Sequence, residues 1–305
     1  MKNLSASHPY PVCVPVYYVA KLAKDNGTTV CQVGEGADEL FCGYPFWAMC
    51  LRTEPVVDLY GKIPQPLRMM MWRAANRAFQ APTGTMRKLE VARRASAGEP
   101  IFWGGAEAYQ ETTKQRFLNP GFLKRLGGYS SYEPIRALQN DFKADAPEGA
   151  DRLHWMTYLD LRLRLPELLL MRVDKMTMAT AVEARVPFLD QEFVRLAMGI
   201  PQTLKFKNHV LKYLLKKAVE PLLPHEIIYR RKQGFGVPVE NWFQKELKAW
   251  SDQKIMDFAG RTDYFNLPVM GKYLESTSPK MTWFLLNFVL WHEAWIENRA
   301  VSLPR

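Results

Sequence analysis

Cysteine is scarce in this sequence: four among 305 residues, Cys13, Cys31, Cys42 and Cys50, all in the first sixth of the chain. None forms a CxxC pair, and no histidine accompanies them at zinc-site spacing, which argues against a zinc site. So few unpaired cysteines suit a reducing compartment, where buried free thiols are expected. Long apolar runs are also lacking. The N-terminal MKNLSASHPYP has no signal-peptide core. The run from Met281 to Trp295 is too short to span a bilayer and is interrupted by Asn287 and His292. A soluble, cytoplasmic protein with a buried helix at 281–297 is the expectation. There is no low-complexity tract and no internal repeat. His225-Glu226 and His292-Glu293 lack the second histidine of a zinc-protease motif, with Tyr229 and Ile296 in its place. Leu126-Gly127-Gly128-Tyr129-Ser130-Ser131 has no strand upstream, so it reads as a turn and not a phosphate loop.

Basic residues are in surplus. The 41 Lys and Arg against 31 Asp and Glu leave a net charge of +10, which suits nucleic acid, acidic membranes or anionic small molecules without choosing among them. Hydrophobic residues make up 48% and aromatics 12%, enough for a packed globular core and too much for disorder.

Helical spacing from Pro15 to Lys24 closes on Asn26-Gly27, and an uncharged, β-branched stretch predicts a strand at 28–33. Helix, turn, strand and glycine-rich turn is the rhythm of a parallel α/β sheet, where ligands gather at the C-terminal ends of strands. After Tyr44 no second strand stands out. Residues 54–95 read as helices with basic faces, broken at Pro64-Gln65-Pro66 and Pro82-Thr83-Gly84. Turns follow at Gly104-Gly105 and Gly127-Gly128. A long helical pattern covers 151–182, and further helices are expected at 191–199, 207–219, 239–250 and 281–297. A lone strand at the head of a helical chain suggests an α/β domain whose earlier strands are absent.

Three constellations carry chemistry. The first is GEGADELFCGY, Gly34 to Tyr44, directly after the strand. Gly34 and Gly36 permit positive φ and close approach of a ligand to the backbone. Glu35, Asp38 and Glu39 share a face on a helical start, where they could hold Mg²⁺ and through it phosphates. They could equally just complement the helix dipole. The second is RVDKMTMATAVEARVPFLD, Arg172 to Asp190. Its charges sit in apolar sequence and need partners. A buried structural ion pair is the stronger expectation for Asp174 and Lys175. Glu183 and Arg185 could bind a charged substrate, and Asp190 reads as a helix N-cap. The third is RRKQGFGVPVENWF, Arg230 to Phe243, three cations before a Gly-Phe-Gly hinge. Such a segment suits closure over a phosphate, or is a solvated loop.

In this order the three resemble the synthetase half of glutamine-dependent asparagine synthetases, over nearly the whole chain. The resemblance implies an α/β domain of the adenine-nucleotide α-hydrolase (ATP pyrophosphatase) type, mostly helical here. Residues 1–200 would form its α/β part, with a helical insertion at 54–150, and 201–305 a helical C-terminal part. It implies ATP and Mg²⁺ as cofactors and aspartate and ammonia as substrates. Aspartate is adenylated with release of pyrophosphate, and ammonia then displaces AMP. By motif position, Val33 and Gly34 would lie against the nucleotide and Glu35 would act as base or orient ammonia. Asp38 would coordinate Mg²⁺, Lys232 would stabilise the α-phosphate, and Glu183 and Arg185 would shape the aspartate site. Two features depart from the family. Its Ser-Gly-Gly-x-Asp-Ser-Ser pyrophosphate loop has no match upstream of Val33, and an N-terminal Cys nucleophile for glutamine hydrolysis is not present in Met-Lys-Asn. A third, lesser departure is Val33 itself, where serine is common. The expectation is an incomplete synthetase domain, truncated or completed by a separate polypeptide carrying the loop and the glutaminase. Two alternatives remain: a relative acting on another carboxylate, as β-lactam and macrolactam synthetases do, or a non-catalytic helical module. The module would bind RNA or a protein through Lys62, Arg68, Arg73, Arg77, Arg87, Lys88, Arg93 and Arg94, although no nucleic-acid motif is present.

Overall fold

The computed structural model describes residues 11–78, 86–105, 107–230 and 237–300. Helix α1 (Cys13–Asp25) leads into strand β1 (Val30–Gln32) and the one-turn helix α2 (Ala37–Leu40). Eight helices follow before the second strand: α3 (Pro45–Gly61), α4 (Gln65–Ala78), α5 (Met86–Ala97), α6 (Glu111–Phe117), α7 (Pro120–Arg125), α8 (Glu133–Asp145), α9 (Arg152–Leu159) and α10 (Met171–Met178). Asp160–Leu170 joins α9 to α10 as 11 residues of π-helix. Pro166 lies inside it, and a wider turn accommodates a residue that has no N–H to donate and a ring that crowds the preceding carbonyl.

Strand β2 (Glu183–Arg185) pairs in parallel with β1, with Val30 beside Glu183, Cys31 beside Ala184 and Gln32 beside Arg185. This strand corrects the sequence expectation of a single strand. Three residues holding a Glu and an Arg carry no alternation to recognise, and only the pairing with β1 makes them a strand. A short 3₁₀ turn at Pro187–Leu189 precedes α11 (Gln191–Met198), where the Asp190 side chain caps Glu192 and Phe193 N–H as expected. The remaining helices are α12 (Gln202–Lys205), α13 (Tyr213–Val219), α14 (His225–Ile228), α15 (Val239–Gln244), α16 (Lys248–Arg261), α17 (Leu267–Ser276) and α18 (Pro279–Trp295). The expected helix at 207–219 begins only at Tyr213, and the one at 239–250 breaks after Gln244, where Lys245 leaves helical geometry at φ −123°, ψ −95°. No helix among the described residues is long and apolar enough to cross a membrane.

Two cores organise the chain. One gathers Trp47, Phe102, Leu153, Met156 and Leu159, so α3 and α9 are clamped together behind the acid-rich loop. The other gathers Ile255, Phe258, Met270 and Val289 from α16–α18, with Phe117 inserted from α6. Cys13, Cys42 and Cys50 are buried and Cys31 partly so, and all four are free thiols.

Candidate functional site

The loop between β1 and α3 is built on its glycines. Gly36 has φ +93°, and an added Cβ would lie 2.4 Å from Leu189 Cδ2, so the Pro-Phe-Leu turn of the second motif packs directly on the first. Gly34 is exposed, and a Cβ there would meet nothing within 4 Å, which leaves its backbone open to a ligand. Val33 N–H donates to Arg185 O at 2.8 Å, which ties the C-terminal ends of the two strands together.

The three carboxylates do not converge as their spacing suggested. Glu35 lies ahead of the helix, and Arg172 Nη2 approaches its Oε1 at 3.3 Å. Asp38 Oδ1 pairs with Lys212 Nζ at 2.8 Å. Glu39 turns into the core at 1% exposure and accepts from the Tyr44 hydroxyl at 2.5 Å. No group of three or more His, Cys, Asp or Glu able to hold a metal exists among the described residues. A one-turn helix preceded by a left-handed glycine sends neighbouring side chains in different directions, which the helical-wheel spacing could not anticipate.

Beneath the loop lies a buried network. Arg164 reaches Asp160 Oδ2 at 3.3 Å and Glu39 Oε1 at 4.0 Å, and its guanidinium stacks 4.2 Å from the centroid of the Tyr44 ring. Asp160 is fully buried and accepts from Gly105 N–H at 3.1 Å. Burial pushes its carboxyl up from the ordinary 3.8 to about 6, against the pull of Arg164. Burial likewise lifts the Tyr44 phenol, and the Glu39 charge adds to it. The Thr157 hydroxyl donates to Glu39 O at 3.2 Å, which anchors α9 to the loop.

Glu35 holds its proton more tightly than an ordinary glutamate. Burial is the main cause; Arg172 opposes it, while Glu39 and Asp38 reinforce it. A carboxylate of raised proton affinity beside an open glycine backbone is a stronger base than an ordinary glutamate.

Arg172 belongs to the second motif, but sequence reasoning assigned the buried charge there to Asp174 and Lys175. The structure corrects this: Asp174 is exposed, Lys175 is partly buried, and Arg172 is the buried member at 7% exposure. Its signal was the helical phase, since Arg172, Val173, Met176 and Thr177 form the buried face of α10. Lys212 had no recognisable signal. It occupies the left-handed region at φ +55°, one residue before α13, and only the tertiary fold brings it to Asp38. Glu183 and Arg185 pair with each other at 2.8 Å on one face of β2, both more than half exposed. Lys232 lies outside the described residues, as do Arg231 and Gln233 to Gly236 of the third motif.

The proposed basic binding face does not survive folding as one surface. Arg68 and Arg94 are buried, and Arg93 and Arg94 both bond to buried Glu90. Arg73 and Arg77 remain exposed, while the side chains of Arg87 and Lys88 lie outside the described ones.

Gly43 is a close-approach position. A Cβ there would fall 1.8 Å from Asp38 Oδ1 and 2.4 Å from Lys212 Cε. Gly43→Ala is expected to split the Asp38–Lys212 pair while costing only about 1–3 kcal/mol of stability, as overpacking does. Urea titration of the variant beside the parent chain checks this: the midpoint falls by that amount.

A family model described as asparagine synthase matches residues 7–293. The chain is similar to asparagine synthetase [glutamine-hydrolyzing] 1 of Bacillus subtilis, 32% identical over 296 residues, covering 95% of this chain and 44% of that relative. It is similar to a putative asparagine synthetase [glutamine-hydrolyzing] of Mycobacterium tuberculosis, 30% identical over 299 residues, covering 95% and 43%. A third relative, asparagine synthetase [glutamine-hydrolyzing] 1 of Saccharomyces cerevisiae, is 37% identical over 173 residues, 53% of this chain and 28% of that protein. The chain thus spans less than half the length of these relatives. No solved structure matches it significantly. Motifs, loop geometry and these matches agree: the chain belongs to the asparagine synthase family, a family of ligases.

Proposed function

We propose that this chain forms one wall of an ATP-dependent amide-forming site that adenylates the side-chain carboxylate of aspartate and passes it to ammonia. The observation that carries the reading is the loop at the end of β1, where open Gly34 adjoins Glu35 and a half-buried Asp38. The relatives' names, which specify asparagine synthesis with glutamine hydrolysis, supply the substrates.

In this reading the backbone at Val33 and Gly34 lies along the nucleotide. Glu35 takes a proton from the attacking ammonia, with Arg172 fixing its orientation. Asp38 is the loop carboxylate that stays half-buried beside a lysine while Glu39 turns into the core and Glu35 meets Arg172. One carboxylate together with phosphate oxygens is a donor set that Mg²⁺ accepts, so Asp38 would hold the ion, which supplies charge neutralisation on the departing pyrophosphate. Lys212, now at Asp38, is a mobile point charge that can move to a phosphate. Lys232 stabilises the α-phosphate, and Glu183 and Arg185 separate to receive aspartate.

The same reading assigns an adenine-nucleotide α-hydrolase fold, with the α/β part in residues 1–200, the insertion at 54–150 and a helical part at 201–305. The core of α16–α18 lies within that last part, with Phe117 of the insertion packed into it. Parallel sheets are covered on both faces and flanked by further strands. Here Val30 of β1 is 41% exposed and Tyr18, Val19 and Leu22 of α1 are exposed too, apolar surface that further strands and a separate polypeptide carrying the pyrophosphate loop and the glutaminase would cover. Four free thiols agree with a cytoplasmic setting.

The test is release of pyrophosphate from Mg-ATP with aspartate and ammonia, by the chain alone and with the phosphate-loop portion of a relative added in trans. Aspartate-dependent release on addition supports the reading. Equal release with other carboxylates, or none under either condition, overturns it.

A further inference from the structure

At the opposite end of α3 from the acid-rich loop lies a cavity of about 870 Å³, lined by α3, α4, α5, α8 and α9. Asp58, on its wall, is 13 residues along α3 from Pro45, so the cavity sits roughly 20 Å from the loop at 1.5 Å per residue. None of the residues assigned to the amide-forming site lines it.

Its electrostatics are lopsided once the pairs are removed. Glu54 and Asp58 both bond to Arg152. Glu99 bonds to Arg93, and Asp151 caps α9 at His154. Each acid on the wall therefore has a partner, with Glu54 and Asp58 sharing Arg152. The remaining cations have none: Arg68, Lys62 and Lys143 meet no carboxylate among the described residues.

Arg68 is the informative one. It is 9% exposed, and its Nη1 donates to Ala95 O at 2.5 Å. Its Nε has no partner, and Nη2 is the atom nearest Gly98, 4.0 Å from where a Cβ would stand. The guanidinium carbon lies 5.8 Å from the Tyr60 ring centroid, and a buried guanidinium with one carbonyl acceptor and a stranded Nε gains from a further acceptor. Trp155 Nε1, also on the wall, is buried without a partner. Gln139 accepts from the Tyr132 hydroxyl, which leaves its amide to donate. The wall thus carries donors that find no acceptor in the protein, Arg68 Nε and Trp155 Nε1. The rest of the wall is apolar, with Val57, Ile101 and Phe142 among its members.

We propose that this cavity is a binding site for a small organic anion, a carboxylate on an apolar skeleton. The carboxylate meets Arg68, with Lys62 and Lys143 at the rim, and the skeleton fills the apolar wall. The planar guanidinium suits a carboxylate, and an inorganic anion would leave the apolar wall unfilled at a volume typical of organic-ligand pockets. The inference is independent of the synthetase reading, and its test contains no ATP, so either can fail alone.

The test is calorimetric titration of the full chain with phenylacetate and, separately, inorganic phosphate, at fixed ionic strength. Saturable binding of phenylacetate is expected, weakened about tenfold or more in Arg68→Gln, the loss of one charge-assisted contact. Because Arg68 is buried, the exposed pair Lys62→Glu and Lys143→Glu is run alongside, with circular dichroism to confirm folding. That double variant should also weaken binding, and Lys212→Met, at the acid-rich loop, should leave it unchanged. The proposal is overturned by absence of saturable binding, by phosphate binding as well as phenylacetate, by retention of binding in the rim variant, or by its loss in Lys212→Met.

Discussion

Replacing Arg164 by methionine is expected to destabilise the fold by about 3–5 kcal/mol, the cost of stranding buried charge. Asp160 and Glu39 are 0% and 1% exposed, and Arg164 is the cation that reaches both. The methionine fills much of the volume, so the loss measures charge and not a cavity. The effect should depend on pH, and its sign follows from Asp160. Burial raises its folded value from 3.8 to about 6. Its contribution to stability is therefore fully present below 3.8 and is lost as pH rises through the folded value. Without Arg164 the folded value climbs further, so more is lost on the alkaline side. Urea midpoints of the two proteins should lie closest near pH 5 and separate by pH 8. A gap that narrows with rising pH would show that Arg164 does not serve Asp160.

Glu35→Gln is expected to reduce amide formation by about 10²–10⁴-fold, the range for removing a positioned general base. The measurement belongs in the reconstituted assay, with pyrophosphate release and asparagine formation read separately. If Glu35 acts on ammonia, adenylation persists while amide formation collapses. Since burial raises the proton affinity of Glu35, amide formation by the unaltered chain should increase with pH through that raised value, and the glutamine variant should lose this limb. Because Arg172 loses an anionic partner in the variant, a modest loss of stability is expected as well. Equal loss of both activities would instead assign Glu35 to nucleotide binding.

Much of the site was legible because chemistry and backbone needs coincide in a short stretch. GEGADE follows an apolar strand, and its glycines are where the chain needs left-handed φ at Gly36 and open backbone at Gly34. Asp190 announced its helix by ordinary capping preference, and the long 151–182 pattern folded as a nearly continuous α–π–α segment. Strand β2 was not legible, because its strand character comes from a partner about 150 residues away and not from its own side chains.

By itself, then, the sequence determined the family motifs, the helical content and the acid-rich loop at the end of β1, all of which rest on residues close in the chain. The tertiary structure decided what those charges do. It sent Glu35 to Arg172, Asp38 to Lys212 and Glu39 into the core with Tyr44 and Arg164. Local spacing specifies which face a residue occupies. Which cation waits there depends on how helices pack, and buried charges accept only the packings that pair them.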